Sequence, residues 1–284
     1  MLGDLVREGR GFVPAVNRRL FELIDAGWTE ERVRAYDGTD DKGEYPDHPF
    51  RVSELYRLCP RMVALARRAP ICEGYDAESL WNFAVGTAYH DAIHAALGAL
   101  PSGVFQGWWS RHPETVIRGA DYGFCARPDG DDWKYVEMGL FDDARGLRGH
   151  CDGILVWAPD DVEVLELKSV ATFQADKHNP QRGGTPKEDH IIQAHGYMLL
   201  LGLDRARIAY LVKASGDLGM VMMEHVVRRD EATIEGIEVL LRDCHAARAL
   251  GPTDPLPDPM AACDKRSRKR PGKCPAKARC FECR

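Results

Sequence analysis

The chain has 284 residues, 44% of them hydrophobic and 29% charged, enough for one sizeable α/β core with extensions or for two modest domains. A formal net charge of −6 argues against a general nucleic-acid coat, and no apolar run is long enough to span a bilayer. The opening MLGDLVREGRGFVP lacks the basic-then-apolar pattern of a secretory signal, so the chain is expected in the cytoplasm, with no membrane contact.

Residues 1–52 read as an N-terminal arm and linker: a helical piece over about Val13–Tyr36, then the charged run DGTDDKGEYPDHP. A core over 53–250 follows. SELYRLCPRMVALARR opens with Ser53 as a helix start, and Pro60 predicts a short turn, a break at Cys59-Pro60 and a second helix. Glu78–Leu100 is a strong helix that sets Gly86, His90 and His94 at i, i+4 and i+8, roughly along one side. For His94 a place in the core or on the surface is the commoner fate. Residues 101–132 are aromatic and irregular. Trp133–Asp142, Leu147–Trp157 and Val162–Val170 read as strands, the last two forming a hairpin across Ala158-Pro159-Asp160-Asp161. Phe173–Asp189 is a polar loop and His190–Leu203 a helix. Ile208–Lys213 and Met220–Val227 are strands, and Asp230–Leu250 is a closing helix.

The last segment, 251–284, has a composition of its own. From Cys263 to Arg284 there are nine Lys/Arg against two acidic residues, a net of +7 that leaves −13 on the remainder. A basic segment on an acidic body points to a local contact with a polyanion. Four of the nine cysteines crowd here, Cys263, Cys274, Cys280 and Cys283, in a chain where disulfides are not expected to organise the fold. That density points to a metal. Of the other five, Cys59, Cys72, Cys125, Cys151 and Cys244, most read as small buried hydrophobes.

The chemistry concentrates in Gly149–Ser169. Glu166 and Lys168 are two apart on a strand and project to one face, and Asp152 lies on the neighbouring strand within reach. Charged residues on a strand are ordinarily its solvated face. Here Leu165 and Leu167 flank Glu166, and a charge inside an apolar strand needs a partner. Two carboxylates and an ammonium suit a hard divalent cation such as Mg²⁺ or Mn²⁺.

In order along the chain stand Gly86-Thr-Ala-Tyr-His90, Gly149-His-Cys-Asp152-Gly153, Glu166-Leu-Lys168 and Gln193-Ala-His-Gly-Tyr197. This succession resembles the PD-(D/E)xK nucleases, and among them the RecB-type branch. The resemblance covers about residues 53–230. It implies an α/β, restriction-endonuclease-like core, a central mixed sheet flanked by helices, with an N-terminal helical arm and a C-terminal cysteine-cluster lobe. It implies a metal-dependent DNA exonuclease in which His90, Asp152, Glu166 and the Leu167 carbonyl bind Mg²⁺ or Mn²⁺. Lys168 would orient water or neutralise developing charge, Gln193 and Tyr197 would contact DNA or support the ligands, and Glu137 is a further acidic candidate.

A subset of that branch, the helicase–nuclease subunits of the AddB kind and the CRISPR-adaptation nucleases, holds a [4Fe–4S] cluster with one Cys before the core and three after it. Cys59 resembles the first. The tail departs from the family spacing, reading Cys263-x₁₀-Cys274-x₅-Cys280-x₂-Cys283, so the implied set is Cys59, Cys263, Cys274 and Cys280, with Cys283 as the alternative to Cys263. Zn²⁺ suits four thiolates as well. The implied role is recombination, repair or phage DNA processing on single-stranded or duplex ends. No G-x-x-x-x-G-K-[ST] motif is present, so a motor or recombinase would be another chain. The alternatives are a CRISPR-adaptation nuclease that trims spacer precursors with an integrase partner, or a DNA-binding or assembly subunit with a vestigial site.

Overall fold

The computed structural model describes residues 30–34, 50–69, 71–75, 77–98, 104–110, 134–136, 138–171, 177–212, 222–260, 263, 274, 276 and 279–280. In chain order the elements are β1 (Glu30–Arg34), β2 (Phe50–Arg51), a 3₁₀ turn (Val52–Glu54), α1 (Pro60–Arg68), β3 (Ile71–Tyr75) and α2 (Ala77–Leu97). Then come β4 (Phe105–Gln106), β5 (Trp108–Ser110), β6 (Lys134–Val136), β7 (Met138–Asp142), β8 (Leu147–Cys151), β9 (Ile154–Ala158) and β10 (Asp161–Val170). A 3₁₀ turn (Pro180–Arg182), α3 (Glu188–Leu201), β11 (Arg205–Val212), β12 (Met222–Arg228) and α4 (Glu231–Arg248) complete the series.

Five strands form the central sheet in the order β12-β11-β10-β9-β4. β10 is antiparallel to β9 and parallel to β11, so the β10-to-β11 connection must cross over, and α3 lies in that crossover. The sequence helix, antiparallel pair, helix, parallel strand is that of a restriction-endonuclease-like core. Alternation along β10 assigns its two faces. Val164 and Val170 join Ile208 and Tyr210 in the larger core with α1, α3 and α4, while Leu165 and Leu167 join Leu155, Phe105 and Ala209 under Ile93 and Leu97 of α2. Covered on both faces, β10 has no solvated side on which to leave Glu166.

Pro60 starts the second helix, as expected. Cys59 is the extended N-cap, and Pro60 occupies the first turn, where its missing N–H is not needed. The predicted break at Cys59-Pro60 is therefore the α1 boundary. The expected helix over Val13–Tyr36 is corrected where the residues are described: Glu30–Arg34 is a strand paired antiparallel with Ile71–Tyr75. Residues 13–29 and 35–36 and Glu137 lie outside the described residues. Long-range pairing outweighs the helix propensity of a segment too short to hold a helix by itself, although four of its five residues are good helix formers.

The expected strand over Leu147–Trp157 is two strands. β8 pairs with β7 and β2 in a three-stranded sheet, β9 pairs with β10 and β4 in the central one, and the chain changes sheets at Asp152-Gly153. Gly153 has φ +134°, and a Cβ there would stand 2.5 Å from the Phe105 ring and 3.1 Å from the Gln106 carbonyl. At Gly149 a Cβ would meet Tyr197 Cε1 at 2.7 Å and Val52 Cβ at 2.9 Å. Gly153→Ala combines backbone strain with a clash in a filled space, and is expected to destabilise by about 2 kcal/mol or more in urea unfolding.

Candidate active site

The sheet change aims Asp152. The β9–β10 ladder ends where Leu165 N–H donates to the Gly153 carbonyl at 2.9 Å, and two residues on, Leu167 N–H donates to Asp152 Oδ2 at 2.7 Å. The carboxylate thus continues the ladder in place of backbone. Its other oxygen, Oδ1, is 3.3 Å from His90 Nδ1 of α2. Burial alone would raise the Asp152 pKa, but His90, Lys168 and the Leu167 amide outweigh it and hold the carboxyl below its ordinary range.

Three consecutive carbonyls around this kink are each held by a side chain from another element. Tyr197 of α3 donates to the His150 carbonyl at 2.5 Å, Tyr135 of β6 to that of Cys151 at 3.2 Å, and His94 Nε2 to that of Asp152 at 3.0 Å. A carbonyl only accepts, so His94 carries its proton on Nε2. The buried ring stacks on Tyr135 at a centroid distance of 3.6 Å, and burial lowers its pKa. Gln193 Nε2 donates to the Tyr197 hydroxyl at 3.4 Å. Tyr197, 2% exposed, buttresses the carboxylate loop from inside the core.

Glu166 is 1% exposed. Its Oε1 pairs with Lys168 Nζ, and its Oε2 is buried without a hydrogen-bond partner. Burial drives its pKa up to about 7, against the pull of Lys168 and with the help of Asp152. Burial would lower the Lys168 pKa, but Glu166 and Asp152 more than compensate and raise it. The structure therefore draws His90, Asp152, Glu166 and Lys168 to one place. Among the described residues, no three His, Cys, Asp or Glu side chains stand close enough to hold a metal ion as placed. The donor chemistry nevertheless fits a hard cation: an orphaned carboxylate oxygen beside a second, ionised carboxylate and an imidazole.

The raised Glu166 pKa has a sign. Folding favours the protonated form, so this group's contribution to stability is complete below its ordinary pKa of 4.5 and is lost as the pH rises through about 7. Thermal melts without divalent cations are expected to show wild type losing stability relative to Glu166→Gln between about pH 5 and pH 8. Mg²⁺ or Mn²⁺ is expected to restore it at the higher pH.

A second constellation lies at the α1 end. Cys59, Cys274 and Cys280 are partly buried against the main core. Burial raises the Cys274 pKa, and the neighbouring thiols of Cys59, Cys263 and Cys280 raise it further. The four cysteines implied by the sequence are thus electrostatic neighbours, although Cys59 and Cys280 come from opposite ends of the core. Arg61 ties the ends together, donating to the Pro257 carbonyl at 2.8 Å and the Cys280 carbonyl at 3.3 Å. Arg279 returns a bond to the Ala69 carbonyl at 2.7 Å. Cys151 and Cys244 are fully buried, and Cys283 lies outside the described residues.

No family model and no curated protein matches this sequence. Among solved structures, the alkaline exonuclease LHK-Exo from Laribacter hongkongensis is 22% identical over 40% of this chain and 56% of that one, with a TM-score of 0.33. LHK-Exo in complex with dAMP gives 20% identity over 36% and 49%, with a TM-score of 0.30. The structure of SSO0001 is 14% identical over 82% of this chain and 85% of that one, with a TM-score of 0.39. The chain thus spans about half the length of LHK-Exo. What the site does is decided by its own geometry. No helix among the described residues is long and apolar enough to cross a membrane.

Proposed function

We propose that the chain is a metal-dependent nuclease that hydrolyses DNA phosphodiester bonds, acting from strand ends. The carrying observation is Glu166: a buried carboxylate with one oxygen paired to Lys168 and the other orphaned, one strand from the ionised Asp152. Such an arrangement is costly on its own and is relieved by a ligand of opposite charge. Asp152, Glu166, the Leu167 carbonyl and His90 would hold Mg²⁺ or Mn²⁺, which when bound supplies Lewis-acid polarisation of a phosphate and a more acidic water. Lys168, 22% exposed at its side chain, presents its ammonium to the phosphate and stabilises charge that develops there. Tyr197, Tyr135 and His94 hold three successive carbonyls of the Asp152 loop and so fix the backbone from which the carboxylate projects. DNA as the substrate is what the four ordered motifs imply.

The same reading assigns Cys59, Cys263, Cys274 and Cys280 to a [4Fe–4S] cluster, with Zn²⁺ as the alternative occupant of four thiolates. Support comes from the influence of Cys59, Cys263 and Cys280 on the Cys274 thiol, and from the arginine ties that close the C-terminal segment on α1.

End-labelled single-stranded and duplex DNA, incubated with Mg²⁺ or Mn²⁺, tests the activity. Progressive shortening from an end, suppressed by EDTA and absent on closed circular DNA, is the expected result. DNA binding without cleavage under both metals would replace this reading with that of an assembly subunit.

A further inference from the structure

Next to Lys168, a group of aromatic and imidazole side chains lines the same sheet face and takes no part in the chemistry above. Tyr210 stands opposite Lys168 in the β10–β11 register and is fully buried. His178 stacks on its ring, with centroids 5.0 Å apart and planes at 17°. The Tyr210 hydroxyl accepts the Lys187 amide N–H at 3.0 Å and lies 2.8 Å from His190 Nδ1.

Hydrogen bookkeeping settles the His190 tautomer. Burial pushes the Tyr210 phenol up to about 12, so it keeps its proton. The Lys187 amide can only donate, which leaves His190 Nδ1 to accept that proton's hydrogen bond. Burial, and then the nearby Lys168 charge, push His190 down to about 3, so the ring stays neutral with its hydrogen on Nε2. Nε2 has the Asp189 carboxylate 3.8 Å away, too far for a hydrogen bond. His190 sits in the first turn of α3, three residues before Gln193 and seven before Tyr197, on one stripe of the helix.

We propose that His190 is a further catalytic residue: its Nε2–H donates a hydrogen bond to a non-bridging oxygen of the substrate phosphate beside Lys168, and Tyr210 is the positioning residue that fixes the tautomer. This rests on the nuclease reading for the identity of the phosphate. Lys168 supplies a point charge, whereas the imidazole supplies a directional donor already oriented before substrate arrives. No proton is transferred.

The test uses the full chain labelled with ¹⁵N-histidine and a 5′-phosphorylated single-stranded oligonucleotide, with EDTA present to prevent turnover. The expected spectrum shows His190 neutral with Nδ1 unprotonated, and an Nε2–H signal that moves when the oligonucleotide is added. Tyr210→Phe is expected to give a mixed tautomer with an unchanged fold. In cleavage assays His190→Ala is expected to lower kcat by about 100-fold with a small change in KM. His190→Gln, whose amide N–H reaches the Nε2 position, recovers most of the loss. An Nδ1–H tautomer, a signal indifferent to the oligonucleotide, or wild-type kcat in His190→Ala overturns the assignment. If wild type cleaves nothing with either metal while the His190 signal responds, the nuclease reading falls and the phosphate contact stands.

Discussion

Glu166→Gln and Lys168→Ala are each expected to lower DNA cleavage by about 10³-fold, yet to move stability in opposite directions. Glu166→Gln removes a buried charge whose Oε2 has no partner, so the variant should melt at or above wild type in metal-free buffer near neutral pH. Lys168→Ala leaves the Glu166 carboxylate buried without its counter-charge. That costs roughly 3 kcal/mol above the pH at which Glu166 ionises, and less below it, where the carboxyl is protonated. Cleavage rates on end-labelled DNA, paired with melts on either side of about pH 7, separate the two effects. A fully active Glu166→Gln would remove the carboxylate from the reaction, and equal stability losses in both variants would mean that the pair is a structural ion pair.

Cys274→Ala is expected to have the largest effect on the whole molecule. Cys274 is the thiol on which burial and three neighbouring thiols converge; left alone it stays protonated, whereas a cation or a cluster would hold the sulfurs together as thiolates. Anaerobically purified wild type should be brown, with iron and acid-labile sulfide. The variant should be colourless and melt lower by on the order of 10 °C, because a group that binds only the folded chain contributes its binding energy to folding. One zinc per chain in a colourless wild type would keep the four-thiol site and replace its occupant. Wild type with no metal, and a variant of equal stability, would leave the α1–tail closure to the bonds of Arg61, Arg68 and Arg279 and to apolar packing.

The two sets of variants read out different parts of the molecule. Glu166 and Lys168 lie on β10 between α2 and α3, whereas the cysteines gather at α1 and the C-terminal segment. Cleavage lost in Cys274→Ala with a native-like melt would therefore be unexpected. Loss of both together is the outcome of a staple that holds the core closed.

What the sequence determined by itself is whatever depends on near neighbours. Period-two alternation makes Val162–Val170 a strand and puts Glu166 with Lys168 on one face, and the 3.6-residue repeat puts Gln193 and Tyr197 on one stripe of a helix. Pro60 ends one segment and starts another because its ring decides the backbone locally. The ordered motifs also brought out His90, Asp152, Glu166 and Lys168, which the fold draws together. Only the tertiary structure decided where the chain changes partners. Leu147–Trp157 has the pattern of one strand, and it is cut at Asp152 because two different sheets compete for its halves. Glu30–Arg34 is a strand because Ile71–Tyr75 is there to pair with it. His94 and His190 look ordinary in sequence; one acquires its role from the Asp152 carbonyl, the other from a tyrosine hydroxyl twenty residues away. Such roles are set by groups distant in the chain, and nearest-neighbour pattern carries no record of them.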